Sequence, residues 1–316
     1  MRFSLRLTVL LSGLMLSNLW HIAAQRDALM SQYFYAPVNY NAGAAGYTDA
    51  FNITAAGQIH AGSDKYALLN ADMPFSIGGT HRIGAGIMAD YTNTAIFRNL
   101  KISLPLAWKF TLESSEISVG IAPGVTNSTL KTEQAITEDI TQESVISNSP
   151  TDKHHKTRFN IGGGVWYNSK SFRTGLSFTH SGSQKLKNKT DTPSYIAGVT
   201  AYYFIAAGNI PVKSSLLDIE PSVIAVLSSG KLNGQATARA IWKRCLWFGA
   251  GYRLHENTVF MAGIEIKGFR AGYSFLMPHT SNSHSLRAGH EVTAGYSIAL
   301  DLTPKNKPRH KSVRLM

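Results

Sequence analysis

Leu100-Lys101-Ile102-Ser103-Leu104-Pro105-Leu106-Ala107-Trp108-Lys109-Phe110 places a large apolar residue at every even position and lysine, serine, proline or alanine at every odd one. An extended chain sends successive side chains to opposite faces, whereas a helix brings residues three and four apart together. The stretch therefore reads as a strand with one face wholly apolar over eleven residues. That is about the length a tilted strand needs to cross a bilayer.

The same alternation recurs on both sides of it. Phe51, Ile53, Ala55, Gly57 and Ile59 interleave with Asn52, Thr54, Ala56, Gln58 and His60, and Val292, Ala294, Tyr296, Ile298 and Leu300 with Glu291, Thr293, Gly295, Ser297 and Ala299. About fourteen segments follow this pattern: 51–60, 66–73, 82–91, 100–110, 116–125, 159–167, 171–180, 195–204, 216–226, 232–241, 245–253, 258–266, 269–275 and 290–300. A soluble β-sandwich also alternates, so the connections discriminate. With residue 50 on the periplasmic side, the three longest connections, 126–157, 181–194 and 276–289, all fall outside, and the tight turns mostly fall inside. That asymmetry belongs to outer-membrane barrels, and in hydrocarbon a sheet satisfies every backbone amide only by closing on itself. The fold expected is all-β, a transmembrane antiparallel outer-membrane barrel. Its inward phase is rich in small residues (Gly84 and Gly86, Gly162 and Gly164, Gly249 and Gly251), and Tyr66, Tyr91, Phe110, Tyr167, Tyr252 and Phe275 lie near strand ends as interfacial girdles do.

Composition agrees. Across 316 residues 44% are apolar and 16% charged, with mean hydropathy −0.08. An ordinary soluble domain carries about 25% charged residues. A sheet with one lipid face and one weakly polar face would lower the charge while keeping hydropathy neutral, and the profile excludes both a disordered chain and a polytopic helical protein. Lys and Arg number 31 against 19 Asp and Glu, a net +12. The single Cys245 permits no internal disulfide and reads as an inert thiol near an inner turn.

The ends carry addresses. Arg2 and Arg6, the apolar run from Leu7 to Leu16 and Ile22-Ala23-Ala24 form a signal peptide over residues 1–24, cleaved before Gln25. Its removal leaves 29 basic against 19 acidic residues, a net +10. Five of those charges, Lys305, Lys307, Arg309, Lys311 and Arg314, lie in a tail over 303–316 that has no acid and two prolines. The tail reads either as a solubilising extension or as an electrostatic handle for a periplasmic partner. Between the ends lie a periplasmic plug segment (25–50) and the barrel (51–302). An exported chain does not meet nucleic acid.

No catalytic, cofactor or metal signature emerges. Gly84-Ala85-Gly86 sits in an alternating strand with no helix after it, which removes the dinucleotide reading. His154-His155 lies in a polar loop without further ligands. His180, His255, Glu256, His290 and Glu291 fall near expected outer rims, where a barrel-type surface hydrolase would place its chemistry, yet no spacing defines a catalytic set.

Asp27, Ser31-Gln32-Tyr33, Asn41 and Gly46 together resemble the mature N-terminus of the PorP/SprF family of type IX secretion outer-membrane proteins. The chain departs from the family pattern at Ala28 and Ala42, where prolines are expected, and at Met30, where an aromatic is expected. Gly251-Tyr252-Arg253, Phe269 with Gly272-Tyr273-Ser274, and His290-Glu291-Val292 look like the family's closing hairpins. The resemblance implies a cofactor-free, non-enzymatic barrel in the bacterial outer membrane. It would join the periplasmic ring proteins PorK and PorN to that membrane and support export of surface proteins, in some relatives the adhesins of gliding cells. The rival from another class is a diffusion channel or hydrophobic-solute transporter.

Overall fold

The computed structural model describes residues 29–61, 64–77, 81–94, 97–130, 154–186, 194–196, 198–212, 216–279 and 288–301. Strands form where the alternation predicts them: β1 (Ala50–His60), β2 (Lys65–Ile77), β3 (His81–Asn93), β4 (Phe97–Ser103), β5 (Leu106–Thr111), β6 (Ser115–Leu130), β7 (His154–Ser169) and β8 (Phe172–Ser181). After a small hairpin, β9 (Gln184–Leu186) with β10 (Ser194–Ile196), come β11 (Val199–Gly208), β12 (Ile210–Pro211), β13 (Leu217–Ser228) and β14 (Lys231–Trp242). The series ends with β15 (Leu246–Arg253), β16 (Asn257–Ile266), β17 (Phe269–Pro278) and β18 (Gly289–Ala299).

Each strand pairs antiparallel with its neighbours, β11 joins β13, and β1 meets β18 along eleven residue pairs from Ala50↔Ala299 to His60↔Gly289. The sheet is thus a closed barrel of fourteen crossings. β4 and β5 make a single crossing, since both lie between β3 and β6. The expected strand 100–110 is therefore interrupted at Leu104 and Pro105. Proline has no N–H to give the ladder, yet Gly86 N donates to Pro105 O and Leu104 N to Pro123 O, both at 2.9 Å. Register is preserved, Met88↔Ser103 resuming as Ala85↔Leu106, so the interruption inserts no residue.

The long connections gather at one rim, termed the loop rim, opposite the turn rim where β1 begins. The connection expected over 126–157 shrinks to 131–153, because β6 and β7 extend beyond the alternating stretch. Two-residue links close β13–β14 through Ser229 (φ 49°) and Gly230 (φ 72°), and β16–β17 through Lys267 (φ 50°) and Gly268 (φ 85°). Positive φ at both positions is the hairpin geometry that matches strand twist.

Leu100, Ile102, Leu104, Leu106, Trp108 and Phe110 all face outward, between 39% and 53% exposed. Val292, Tyr296 and Ile298 do likewise. Such a continuous apolar outer surface is what lipid accepts and water does not. Of the aromatic residues expected in girdles, Tyr66 shares the inward phase of Leu68 and Asn70 and lines the interior; Phe110 and Tyr252 are exposed on the outer face. Among the described residues no helix is long and apolar enough to cross a membrane.

The inner face corrects the sequence reading. It is densely charged rather than weakly polar: Lys109, Glu116, Arg158, Glu220, Arg239, Arg253 and Glu291 are all buried. Burial of so many ions is tolerated because they are paired or hydrogen-bonded. Lys109 Nζ lies 2.7 Å from Glu116, and Glu220 accepts from both Arg173 and Arg239 at 2.8 Å.

Candidate functional site

Residues 29–48 form a strap that occupies the lumen and leaves it at the turn rim to enter β1. Three short 3₁₀ turns fold it: Tyr33–Tyr35, Pro37–Asn39 and Ala42–Ala44. Pro37 pre-sets the backbone at the start of the second. Asn41 caps the third, its Oδ1 accepting from Gly43 N at 2.9 Å.

Glu291 holds the beginning of the strap. Its carboxylate is fully buried and accepts from Ser31 N (2.7 Å), Gln32 N (2.9 Å) and Gln58 Nε2 (3.0 Å). Arg253 Nη2 donates to Ser31 Oγ at 3.2 Å, Gln235 Nε2 to Ser31 O at 2.9 Å, and Gln32 Nε2 to Ser274 Oγ at 2.9 Å. Tyr33, Phe34 and Tyr35 come next. The Arg239 guanidinium lies 3.8 Å from the Phe34 ring centroid, 5.4 Å from that of Tyr35 and 5.2 Å from that of Trp247, a cation–π cluster shielded from water. Tyr33 Oη donates to Ser222 Oγ (2.9 Å) and Tyr35 Oη to Glu265 Oε1 (2.7 Å). Burial pushes the phenols of Tyr33, Tyr35 and Tyr40 up; Tyr33 and Tyr35 keep the protons they donate, and Tyr40 Oη accepts from Met30 N at 2.9 Å.

The remainder of the strap lies against bare backbone. A Cβ built on Gly84 would collide with the Ala45 carbonyl, one on Gly120 with Ala42, and one on Gly164 with the Asn41 side chain. Gly46 itself adopts φ 57°, and a Cβ there would sit 2.6 Å from Pro74 N, so only glycine fits. Asp72 Oδ2 accepts from Gly46 N at 2.7 Å. The inward glycines thus make room for the strap. Toward the loop rim a cavity of about 110 Å³ remains, floored by Met30, Asn39 and Tyr40 and walled in part by Asp90, Lys101 and Arg158.

Five residues singled out in the sequence meet in this lumen: Ser31, Gln32, Tyr33, Asn41 and Gly46 are all buried and all bonded. Asp27 and the tail residues Lys305, Lys307, Arg309, Lys311 and Arg314 lie outside the described residues. The rim candidates do not converge. His290 points outward, its Nδ1 2.7 Å from Tyr273 Oη, while Glu291 points into the lumen. His180 pairs with Thr200, and Glu256 accepts from Asn233. Glu291, Arg239 and Arg253 escaped sequence reasoning as strap contacts. The alternation does give their phase, since Gln235-Ala236-Thr237-Ala238-Arg239 and Glu291-Val292-Thr293 each set the polar residue inward, but alternation alone names no partner. Among the described residues no cluster of three metal-ligating side chains occurs.

The sequence profile of the type IX secretion system membrane protein PorP/SprF matches residues 22–296, that is, the strap and nearly the whole barrel. The chain belongs to the PorP/SprF family. In this PorP/SprF chain Ser31, Gln32, Tyr33, Asn41 and Gly46 are among the strap residues bonded to the barrel wall. Among solved structures it is similar to the toluene transporter TodX of Pseudomonas putida (10% identity, TM-score 0.49, covering 79% of this chain and 89% of that one) and to the toluene transporter TbuX of Ralstonia pickettii (10%, 0.46, 80% and 88%). It is also similar to the β domain of the Bordetella autotransporter BrkA (8%, 0.42, 79% and 98%). No curated protein shows significant sequence similarity to it.

Proposed function

We propose that this PorP/SprF protein is a non-enzymatic, cofactor-free docking component of the type IX secretion machinery. Exported by its signal peptide to the bacterial outer membrane, it anchors the periplasmic ring of PorK and PorN there and supports export of surface proteins. The observation that carries the reading is the family match across a barrel whose lumen is filled by its own strap. A barrel closed in this way acts through the surfaces it presents rather than through an open bore. The turn rim, taken as periplasmic, exposes Lys170, Lys243, Arg244 and Lys267 beside the acids Asp49, Glu113 and Asp301, and in sequence the acid-free tail with its five basic residues comes after β18. Positive charge at one rim favours an anionic partner.

The test is capture from cells. Photo-cross-linkers placed between Lys305 and Arg314, followed by purification in mild detergent, are expected to recover a ring subunit. Recovery of no periplasmic partner, together with solute flux through the purified barrel, overturns docking in favour of a diffusion channel.

A further inference from the structure

The strap contains no Asp, Glu, Lys, Arg or His from residue 29 to residue 48. It nevertheless threads a wall dense in ions. Beside the side-chain contacts of Gln32, Tyr33, Tyr35, Asn39 and Asn41, the wall also reads its main chain. Glu291 accepts from the amides of Ser31 and Gln32, Gln235 donates to Ser31 O, and Ser177 Oγ donates to Tyr40 O at 2.6 Å. Further along, Ser118 Oγ donates to Gly43 O (2.7 Å), Asp72 accepts from Gly46 N (2.7 Å), and Asn168 Nδ2 donates to Tyr47 O (3.3 Å). Peptide groups are common to every polypeptide, so such contacts recognise a chain more than a sequence. Gly84 and Gly120 clear a path for a backbone, Gly164 clears space for the Asn41 side chain, and the Arg239 cluster receives an aromatic side chain.

We propose that the lumen is a polypeptide-binding site, occupied in cis by residues 29–48 and able to exchange that occupant for an uncharged peptide segment bearing aromatic residues followed by alanine and glycine. The site does not depend on ring docking, and its failure would leave that reading untouched. It assigns the strap the role of a ligand tethered to its own receptor. Tethering gives the cis segment a high effective concentration, so a peptide in trans competes only when the tether is cut or the wall is weakened.

The full chain tests this once a site-specific protease sequence is inserted between Thr48 and Asp49, at the turn rim. The folded protein is cut and then challenged with an excess of a fluorescent synthetic peptide of residues 29–48. The same chain cut in urea and refolded with the peptide gives a second measurement that is independent of protease access. The cut strap is expected to stay with the barrel through gel filtration and to exchange slowly for labelled peptide. Glu291→Gln should speed exchange at least tenfold and Gln235→Ala by less. A peptide carrying Ala44→Glu should compete at least tenfold more weakly, because Ala44 is fully buried. Loss of the strap without rebinding of peptide, unfolding of the barrel whenever the strap leaves, or equal competition by the Ala44→Glu peptide overturns the proposal.

Discussion

Residues 29–40 and residues 41–48 of the strap lie in one lumen and are held with different emphasis. The first stretch is gripped by what the wall adds: the Glu291 carboxylate, the Arg239 guanidinium and the hydroxyl of Ser222. The second, bonded by Asp72, Ser118 and Asn168, depends more on what the wall omits, since at Gly84, Gly120 and Gly164 the strap occupies the space a side chain would take. The contrast teaches that two kinds of substitution should fail here. Truncating large side chains harms the first stretch, and enlarging small ones harms the second.

The largest effect is expected from Gly84→Val, whose branched side chain would enter the Ala45 carbonyl. Overpacking against fixed backbone costs about 3 kcal/mol or more, and thermal unfolding in detergent should show the strap expelled or the barrel lost. Gly57→Ala, where the nearest atom to an added Cβ is 4.0 Å away, should leave the melting temperature almost unchanged; equal loss in both variants would abolish the comparison. Arg239→Ala comes next. It removes the cation–π cluster and one of two guanidinium partners of Glu220, and breaking a buried pair in this way costs about 3 kcal/mol. A change in Trp247 fluorescence should accompany it. Glu291→Gln keeps the shape but lowers acceptor strength toward two amides, a loss of about 2 kcal/mol, read as strap release without loss of the barrel. Tyr33→Phe, which deletes only the hydroxyl that bonds Ser222, should cost about 1 kcal/mol.

The fold was legible because lipid enforces the pattern. The even-numbered residues from Leu100 to Phe110 face hydrocarbon, and there alternation cannot lapse. Where strands leave that layer the signal fades: Thr126, Asn127, Ser128 and Thr129 are polar on both faces, so the extension of β6 to Leu130 could not be seen in them. Asp27, Ser31, Gln32, Tyr33, Asn41 and Gly46 marked the strap as special by resemblance alone. What they touch was hidden, because ring closure brings Ser31 to Glu291 across 260 residues and no local pattern encodes a contact of that reach. The charge of the lumen was misjudged for a related reason. A charged fraction of 16% averages over both faces of the sheet and suggested a weakly polar lumen, whereas the charges are gathered on the inner face as pairs.

That 260-residue span bears on biogenesis. The carboxylate that fastens the first described stretch of the chain stands on the final strand, three residues into β18, and β18 is also the strand that seals the ring against β1. An incompletely inserted barrel therefore has a neutral, aromatic strap and no acceptor for its amides. Contacts of such separation form late. Seating of the strap thus marks a finished barrel, and protease resistance of residues 29–48 would serve as a clock for membrane assembly.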